Sequence, residues 1–215
     1  YTDKNDLIMV EDCAHALGTK YRSKHVGNFG LMGNFSFYPT KQITTGEGGM
    51  VLTDDRELYF RLKELRDHGM SRHQKYIHVA LGFNYRMTNM QAALGLAQSE
   101  RIQETVNWKR RMGQRYTERL SDIKAIQLPI ERPWSRQVYW MYGILLDKSH
   151  NMTARALADK LSDLGIQTRP FFLGMHAQPA LQNLGLFQSE DYPIADHLSE
   201  NGLYLPSGLA LREPQ

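Results

Sequence analysis

Cysteine is almost absent: Cys13 is the only one in 215 residues, which excludes an internal disulfide and fits a reducing compartment. Long apolar runs are absent too. No stretch approaches the roughly 20 residues that a membrane-spanning helix requires, so a soluble protein located in the cytoplasm is expected. Charge of one sign is scarce, since 26 Lys and Arg against 23 Asp and Glu leave a formal net charge of only +3. That small excess argues for no particular polyanionic partner. Internal repeats and low-complexity tracts are missing as well. The remainder is ordinary globular composition, 41% hydrophobic and 23% charged, enough for one large core or two small ones.

Against this plain background, chemistry concentrates in one stretch. Ser36-Phe37-Tyr38-Pro39-Thr40-Lys41 runs into Thr44-Thr45-Gly46-Glu47-Gly48-Gly49, and upstream the apolar run Leu7-Ile8-Met9-Val10 closes on Glu11-Asp12. A lysine amine becomes a nucleophile when a fixed loop holds it near a carbonyl and its surroundings favour the neutral form. Pyridoxal phosphate needs such a lysine at its aldehyde carbon and a carboxylate at its ring nitrogen. Lys41 and Asp12 suit those roles, and the Ser36 hydroxyl, five residues before the lysine, suits the cofactor phosphate. Gly46, Gly48 and Gly49 would let backbone approach the cofactor closely. Taken singly, each residue has a plainer reading: Lys41 as a solvated hairpin residue, Asp12 as a helix N-cap, Ser36 as a strand serine. The glycine run is not a Walker loop, because no Gly-Lys-Ser/Thr follows at the required spacing. Asp12 and His15 find no third and fourth metal ligand at usable spacing, so no metal is expected. Cys13 reads as packing.

Four blocks together carry a resemblance. Val10-Glu11-Asp12-Cys13-Ala14-His15-Ala16-Leu17-Gly18, Gly33 to Lys41, Thr44 to Val51, and Gly82-Phe83-Asn84-Tyr85-Arg86-Met87-Thr88-Asn89-Met90-Gln91-Ala92-Ala93-Leu94-Gly95 resemble, in order and spacing, the DegT/StrS family of sugar-nucleotide aminotransferases. The resemblance implies an α/β fold of the fold-type-I pyridoxal phosphate enzymes, here the C-terminal part of the large domain plus a small α+β domain. It implies Lys41 as the catalytic lysine, with cofactor contacts from Asp12, Ser36 and His15, the last near the phenolic oxygen. Asn84 would reach the phosphate of a neighbouring subunit, which makes a homodimer with shared active sites the expected assembly. Arg86, Arg169 and His176 are the candidates for the anionic substrates, arginine being suited to bidentate recognition of phosphate or carboxylate. The segment Thr168-Arg169-Pro170-Phe171-Phe172 with His176 and Pro179 is most similar to the branch that makes GDP-perosamine. That similarity implies L-glutamate as amino donor and the C4 ketone of GDP-4-keto-6-deoxymannose as acceptor, in cell-surface polysaccharide synthesis. His15 departs from that branch, which often carries another residue there. A dTDP- or UDP-linked keto sugar, or a non-catalytic binding or regulatory protein on the same fold, are the alternatives. Family members are longer, so the chain is read as a C-terminal fragment.

Periodicity organises the rest. A buried parallel strand is expected over 7–10, short strands at 35–37 and 49–53, and a helix capped by Asp54-Asp55 through about Arg66. Residues 67–83, with three histidines, read as a long functional loop. Thr88 and Gln91 form a capping-box signature that opens a helix running, kinked near Gly95, toward Leu120. The basic residues Lys109, Arg110, Arg111, Arg115 and Arg119 read as a solvated helix face, not a nucleic-acid surface. A domain boundary is expected near 120, giving 1–120 and 121–215. Beyond Pro129 and Pro133 come a strand at 139–146 and a helix at 153–164 with Leu157, Leu161 and Leu164 on one face, stopped by Gly165.

Overall fold

The structure, a computed structural model, describes residues 1–147, 149 and 152–212. In chain order its elements are β1 (Val10–Asp12), β2 (Lys20–Tyr21), β3 (Lys24–His25), β4 (Met32–Ser36), β5 (Gly49–Leu52), α1 (Arg56–Arg66), α2 (Asn89–Ser99), α3 (Ile102–Leu120) and β6 (Ile126–Gln127). Then follow β7 (Ser135–Arg136), β8 (Tyr142–Leu146), α4 (Ala154–Asp163), β9 (Arg169–Pro170), α5 (Pro179–Gln182), α6 (Pro193–Asn201) and β10 (Gly202–Leu205). Packing divides the chain into Tyr1–Asn107 with Arg132–Val138, and Trp108–Glu131 with Tyr139–Gln215.

In the first unit β1 lies parallel to β4, with Val10 opposite Met32 and Asp12 opposite Asn34. β5 runs antiparallel on the other side of β4, with Gly49 opposite Ser36. The carboxyl ends of β1 and β4 and the start of β5 therefore share one edge of the sheet, and the loop from Phe37 to Gly48 spans it. Strand pairing begins at Val10, not at Leu7 as the apolar run suggests. Among the described residues β1 has only β4 as a neighbour, so Leu7 and Ile8 are 53% and 75% exposed and not buried. Beneath the edge, Cys13, Phe35, Phe37 and Ile43 are buried. A second small sheet joins β2 to β3 and β7, antiparallel throughout.

The helices follow their caps. Asp55 accepts the Leu58 N–H and opens α1, satisfying one of the donors every helix start leaves over. Residues 67–83 form neither helix nor named strand, only isolated bridges between Asp67 and Asn84 and between Met70 and His78. At α2 the capping box is complete, Thr88 Oγ1 accepting the Gln91 N–H and Gln91 Oε1 accepting the Thr88 N–H. The helix does not kink at Gly95; it stops at Ser99 and restarts at Ile102. Gly95 is there for another reason. A Cβ at this position would lie 2.9 Å from the Thr45 methyl, so the missing side chain makes room for the lysine loop.

The second unit is built on the antiparallel sheet β6-β8-β10-β9. Tyr142, Ile144 and Leu203 form its core with Met112 and Tyr139, and Leu157 and Leu161 of α4 pack against it. Leu164, expected on the same face, is 76% exposed, because the helix has ended and Gly165 turns the chain. β8 begins at Tyr142 instead of Tyr139, since Tyr139 takes a φ of +47° that no strand accommodates. From Trp108 onward α3 contributes to this core, so the packing division falls at Asn107/Trp108, ahead of the boundary expected near 120. Residues 132–138 return to the first unit through the pairing of β7 with β2.

The basic run on α3 is not uniformly solvated. Lys109 shares a helix face with Met112 and Tyr116, is only 4% exposed, and its Nζ donates to the Trp140 and Ser207 carbonyls at 2.8 and 2.5 Å. Arg110 pairs with Glu131 at 2.6 Å. Only Arg111, Arg115 and Arg119 are exposed.

Candidate active site

Three segments converge on the sheet edge of the first unit. Asp12 ends β1, and its Oδ1 accepts the Ala14 N–H and the Asn34 Nδ2–H, both at 3.0 Å. These two donors, the backbone one foremost, hold its carboxyl below the usual range against the opposing effect of burial, with His15 and Lys41 adding favourable charge. Asp12 is thus a fixed anion. Its neighbour Glu11 serves the scaffold. Burial alone would raise its pKa, but N–H groups of Gly30, Gly27 and Phe29 donate to it and lower the net value. Glu11 thereby ties the loop at 27–30 to the end of β1.

Lys41 sits in the loop over the same edge. Burial lowers its pKa, and the Asp12 carboxylate partly offsets that. His15 responds to the same charges: burial and then Lys41 lower its pKa, while Asp12 opposes them. Asp12, His15 and Lys41 are therefore close enough to feel one another's charge, which sequence spacing alone could not settle. Ser36 ends β4, where its Oγ accepts the Tyr38 N–H at 3.3 Å. Cys13 is 3% exposed, and burial followed by the two adjacent carboxylates pushes its thiol up, the condition of an inert thiol.

The loop carrying Lys41 is pinned at both ends and from below. The Phe37 N–H donates to the Gly48 carbonyl and the Thr45 N–H to the Phe37 carbonyl. Gly46 takes a φ of +78°, a turn conformation that residues with a Cβ rarely adopt. From α2, Gln98 pairs with the backbone of Thr44 in both directions, Nε2 donating to its carbonyl at 2.6 Å and Oε1 accepting its N–H at 3.1 Å. One face further along, Gln91 Nε2 donates to the Glu47 carbonyl at 3.0 Å.

Asn34, Gln91 and Gln98 were missed as site residues by sequence reasoning. Asn34 had a signal: it lies two positions before Ser36, so both point to one face of β4, and that face borders Asp12. Gln91 was read only as a cap, and nothing marked Gln98. Asn84 and Arg86 lie beside the long loop, Asn84 bridged to Asp67 through the backbone and Arg86 Nη1 3.4 Å from the Asp67 carboxylate. Arg169, on β9, and His176 belong to the second unit; His176 Nε2 is 2.7 Å from Asp196 Oδ1, and its ring stacks on Tyr192.

Chemically, the edge offers an ionised carboxylate, a lysine with a lowered pKa and a hydroxyl at a strand end. The chain matches the DegT/DnrJ/EryC1/StrS aminotransferase family over residues 1–215, and it belongs to that family. It is 38% identical over 210 residues to GDP-perosamine synthase of Escherichia coli O157:H7, covering 98% of this chain and 56% of the relative. A second GDP-perosamine synthase, from Caulobacter vibrioides, is also 38% identical, over 211 residues, with 98% and 56% covered. Among solved structures, Helicobacter pylori PseC, an aminotransferase of pseudoaminic acid biosynthesis, superposes with a TM-score of 0.91 at 27% identity, over 99% of this chain and 57% of PseC. The chain thus spans about half the length of the curated relatives it matches. The fold is that of the fold-type-I pyridoxal phosphate aminotransferases, and pyridoxal 5′-phosphate is the family's cofactor. The residues present fit it. Asp12 would supply the anion for the ring nitrogen and Lys41 the amine for the aldehyde carbon, while Ser36, whose oxygen accepts the Tyr38 N–H, would donate its O–H to the phosphate.

Proposed function

We propose that the protein carrying this chain moves an amino group from L-glutamate to the C4 ketone of GDP-4-keto-6-deoxymannose, forming GDP-perosamine. The observation that carries the reading is the convergence of Asp12, His15 and Lys41 at the carboxyl edge of the sheet, each within electrostatic reach of the others. The two perosamine-forming relatives at 38% identity support the choice of sugar.

When bound, pyridoxal phosphate supplies an electron sink that weakens the C–H bond of the amino donor. Asp12, held ionised by Ala14 and Asn34, keeps a proton on the ring nitrogen. Lys41 would move the proton from the donor's α-carbon to the cofactor's former aldehyde carbon and, in the second half-reaction, from that carbon to C4 of the sugar. Its lowered pKa enlarges the neutral fraction available as base. Ser36 would donate to the phosphate, and His15 would serve the phenolic oxygen. Asn84 would reach the phosphate of a second subunit in a homodimer, and Arg86 would hold an anionic part of the substrates. The reaction is placed in the cytoplasm.

Incubating the pyridoxal phosphate-loaded protein with glutamate and a panel of GDP-, dTDP- and UDP-linked 4-keto-6-deoxy sugars tests the reading. The expected result is 2-oxoglutarate and an amino sugar from the GDP-linked substrate. Equal or better turnover of a dTDP- or UDP-linked sugar would transfer the assignment to another member of the family, and no turnover of any would favour a binding protein.

The α2 clamp makes a second expectation. Gln98→Leu leaves the Thr44 N–H and carbonyl without their partner, costing about 1–3 kcal/mol of stability. It also frees the loop that aims Lys41. Turnover should fall by about 10- to 100-fold, with a smaller change in KM. Wild-type kcat in a folded Gln98→Leu protein would refute the clamp.

A further inference from the structure

Besides the lysine edge, the small sheet β3-β2-β7 gathers cations from three strands, all within the first unit. β2 is the middle strand. Lys20 stands opposite His25 on one side and opposite Arg136 on the other, and residues directly opposite across a ladder project to the same face. The three side chains therefore form one row. Neighbouring strands lie about 4.8 Å apart, so the row spans about 10 Å. No Asp or Glu occurs from Cys13 to Gly46 or from Arg132 to Leu146, the stretches that supply all three strands.

This row needs an account, because like charges directly opposite on neighbouring strands destabilise a sheet. Burial first, then Lys20 and Arg136, lower the pKa of His25. Arg136 thus acts on the imidazole from two strands away, and the three groups lie within electrostatic reach of one another. Other cations of the hairpin are engaged. The Arg22 guanidinium lies over the Tyr21 ring at 5.4 Å and the Lys24 ammonium over Phe29 at 4.7 Å, and Lys24 also acts on Glu11. Among the described residues, the side chains of Lys20, His25 and Arg136 make no hydrogen bond, ion pair or ring contact of that kind. Lys20 and Arg136 are half-buried while His25 is exposed. The row is open at the His25 end and partly withdrawn from water at the other two, where an anion gains more than on a fully solvated face. A carboxylate presents its two oxygens at one point. A diphosphate distributes anionic oxygens along its length, and so matches an ammonium, a guanidinium fork and an imidazole set in a line.

We propose that the face of β3-β2-β7 carrying Lys20, His25 and Arg136 binds a diphosphate group, either free or borne by a nucleotide. The site does not rest on the amino-transfer reading, in which none of these three residues takes part.

The test is calorimetric titration of the pyridoxal phosphate-loaded protein with inorganic diphosphate. Saturable binding is expected, weakening as salt is raised from about 50 to about 200 mM. Lys20→Gln and Arg136→Gln should each weaken it at least threefold, and together at least tenfold, with folding checked by circular dichroism. Arg22→Gln, on the same hairpin but outside the row, should leave it unchanged. So should Arg86→Gln, which separates this site from the anion contact proposed for amino transfer. GDP, added as a competitor, tells the two sources apart: displacement of diphosphate shows that a nucleotide is accepted, its absence confines the site to the free anion, and the site stands in both cases. Undiminished affinity in the folded double variant, or an equal loss in Arg22→Gln, would overturn the site. No saturable binding of diphosphate would mean that the cations only solvate this face, and would end the proposal.

Discussion

Replacing Lys41 with alanine is expected to remove the lysine-dependent visible absorbance band of the protein incubated with pyridoxal phosphate, and to cut 2-oxoglutarate formation from glutamate by at least about 10³-fold. The size of the loss follows from the site. Lys41 is the only amine among the residues gathered at the sheet edge, and its neighbours cannot replace it: Asp12 is held as an acceptor-only anion by Ala14 and Asn34, and His15 is tuned toward neutrality by burial and by Lys41 itself. Lys41→Arg separates base from charge. It keeps a cation opposite Asp12, yet a guanidinium stays protonated at any working pH and should be as inactive as alanine. Substantial activity in Lys41→Arg would show that the residue contributes charge alone. Full activity in Lys41→Ala would place the chemistry elsewhere.

The sequence made the site more legible than the scaffold, for reasons that particular residues show. Lys41, Asp12 and Ser36 could be proposed together because each stands in a short block whose order and spacing are unusual. The structure gathers Asp12, His15 and Lys41 within electrostatic reach and leaves Ser36 at the end of β4. The supports of these residues are contacts between distant segments: Gln98 reaches Thr44 across 54 positions, and Glu11 reaches Gly30 across 19. No local pattern encodes those distances. Caps were legible because they are local, as with Asp55 and the Thr88–Gln91 box. Boundaries set by long-range pairing or by an unusual backbone were not. β1 starts where β4 starts to pair with it, and β8 waits for Tyr139 to leave its positive φ. Lys109 is the sharpest miss, since composition assigns a lysine in a basic run to solvent. Only the face it shares with Met112 and Tyr116, and the carbonyls of Trp140 and Ser207, put it inside.

That lysine supplies the second large expectation. Burial brings the Lys109 ammonium down to about 8 from an ordinary value of 10.5, and it donates to two neutral carbonyls. A folded-state pKa below the unfolded one means that between about 8 and 10.5 the unfolded chain holds a proton the folded chain has released. Stability contributed through this residue therefore rises with pH across that window and is lowest, and constant, below it. The gap corresponds to about 3 kcal/mol. Lys109→Met removes the titration, but strands the Trp140 and Ser207 carbonyls at about 1–3 kcal/mol each, so the two proteins differ little in a predictable direction at neutral pH. The slope is what separates them. Urea unfolding at pH 7, 8, 9 and 10 should show wild type gaining on Lys109→Met by about 2–3 kcal/mol over the series, with most of the gain above pH 8. A constant difference would mean that the amine keeps its ordinary pKa inside the protein, and that its two carbonyls solvate the charge as well as water does.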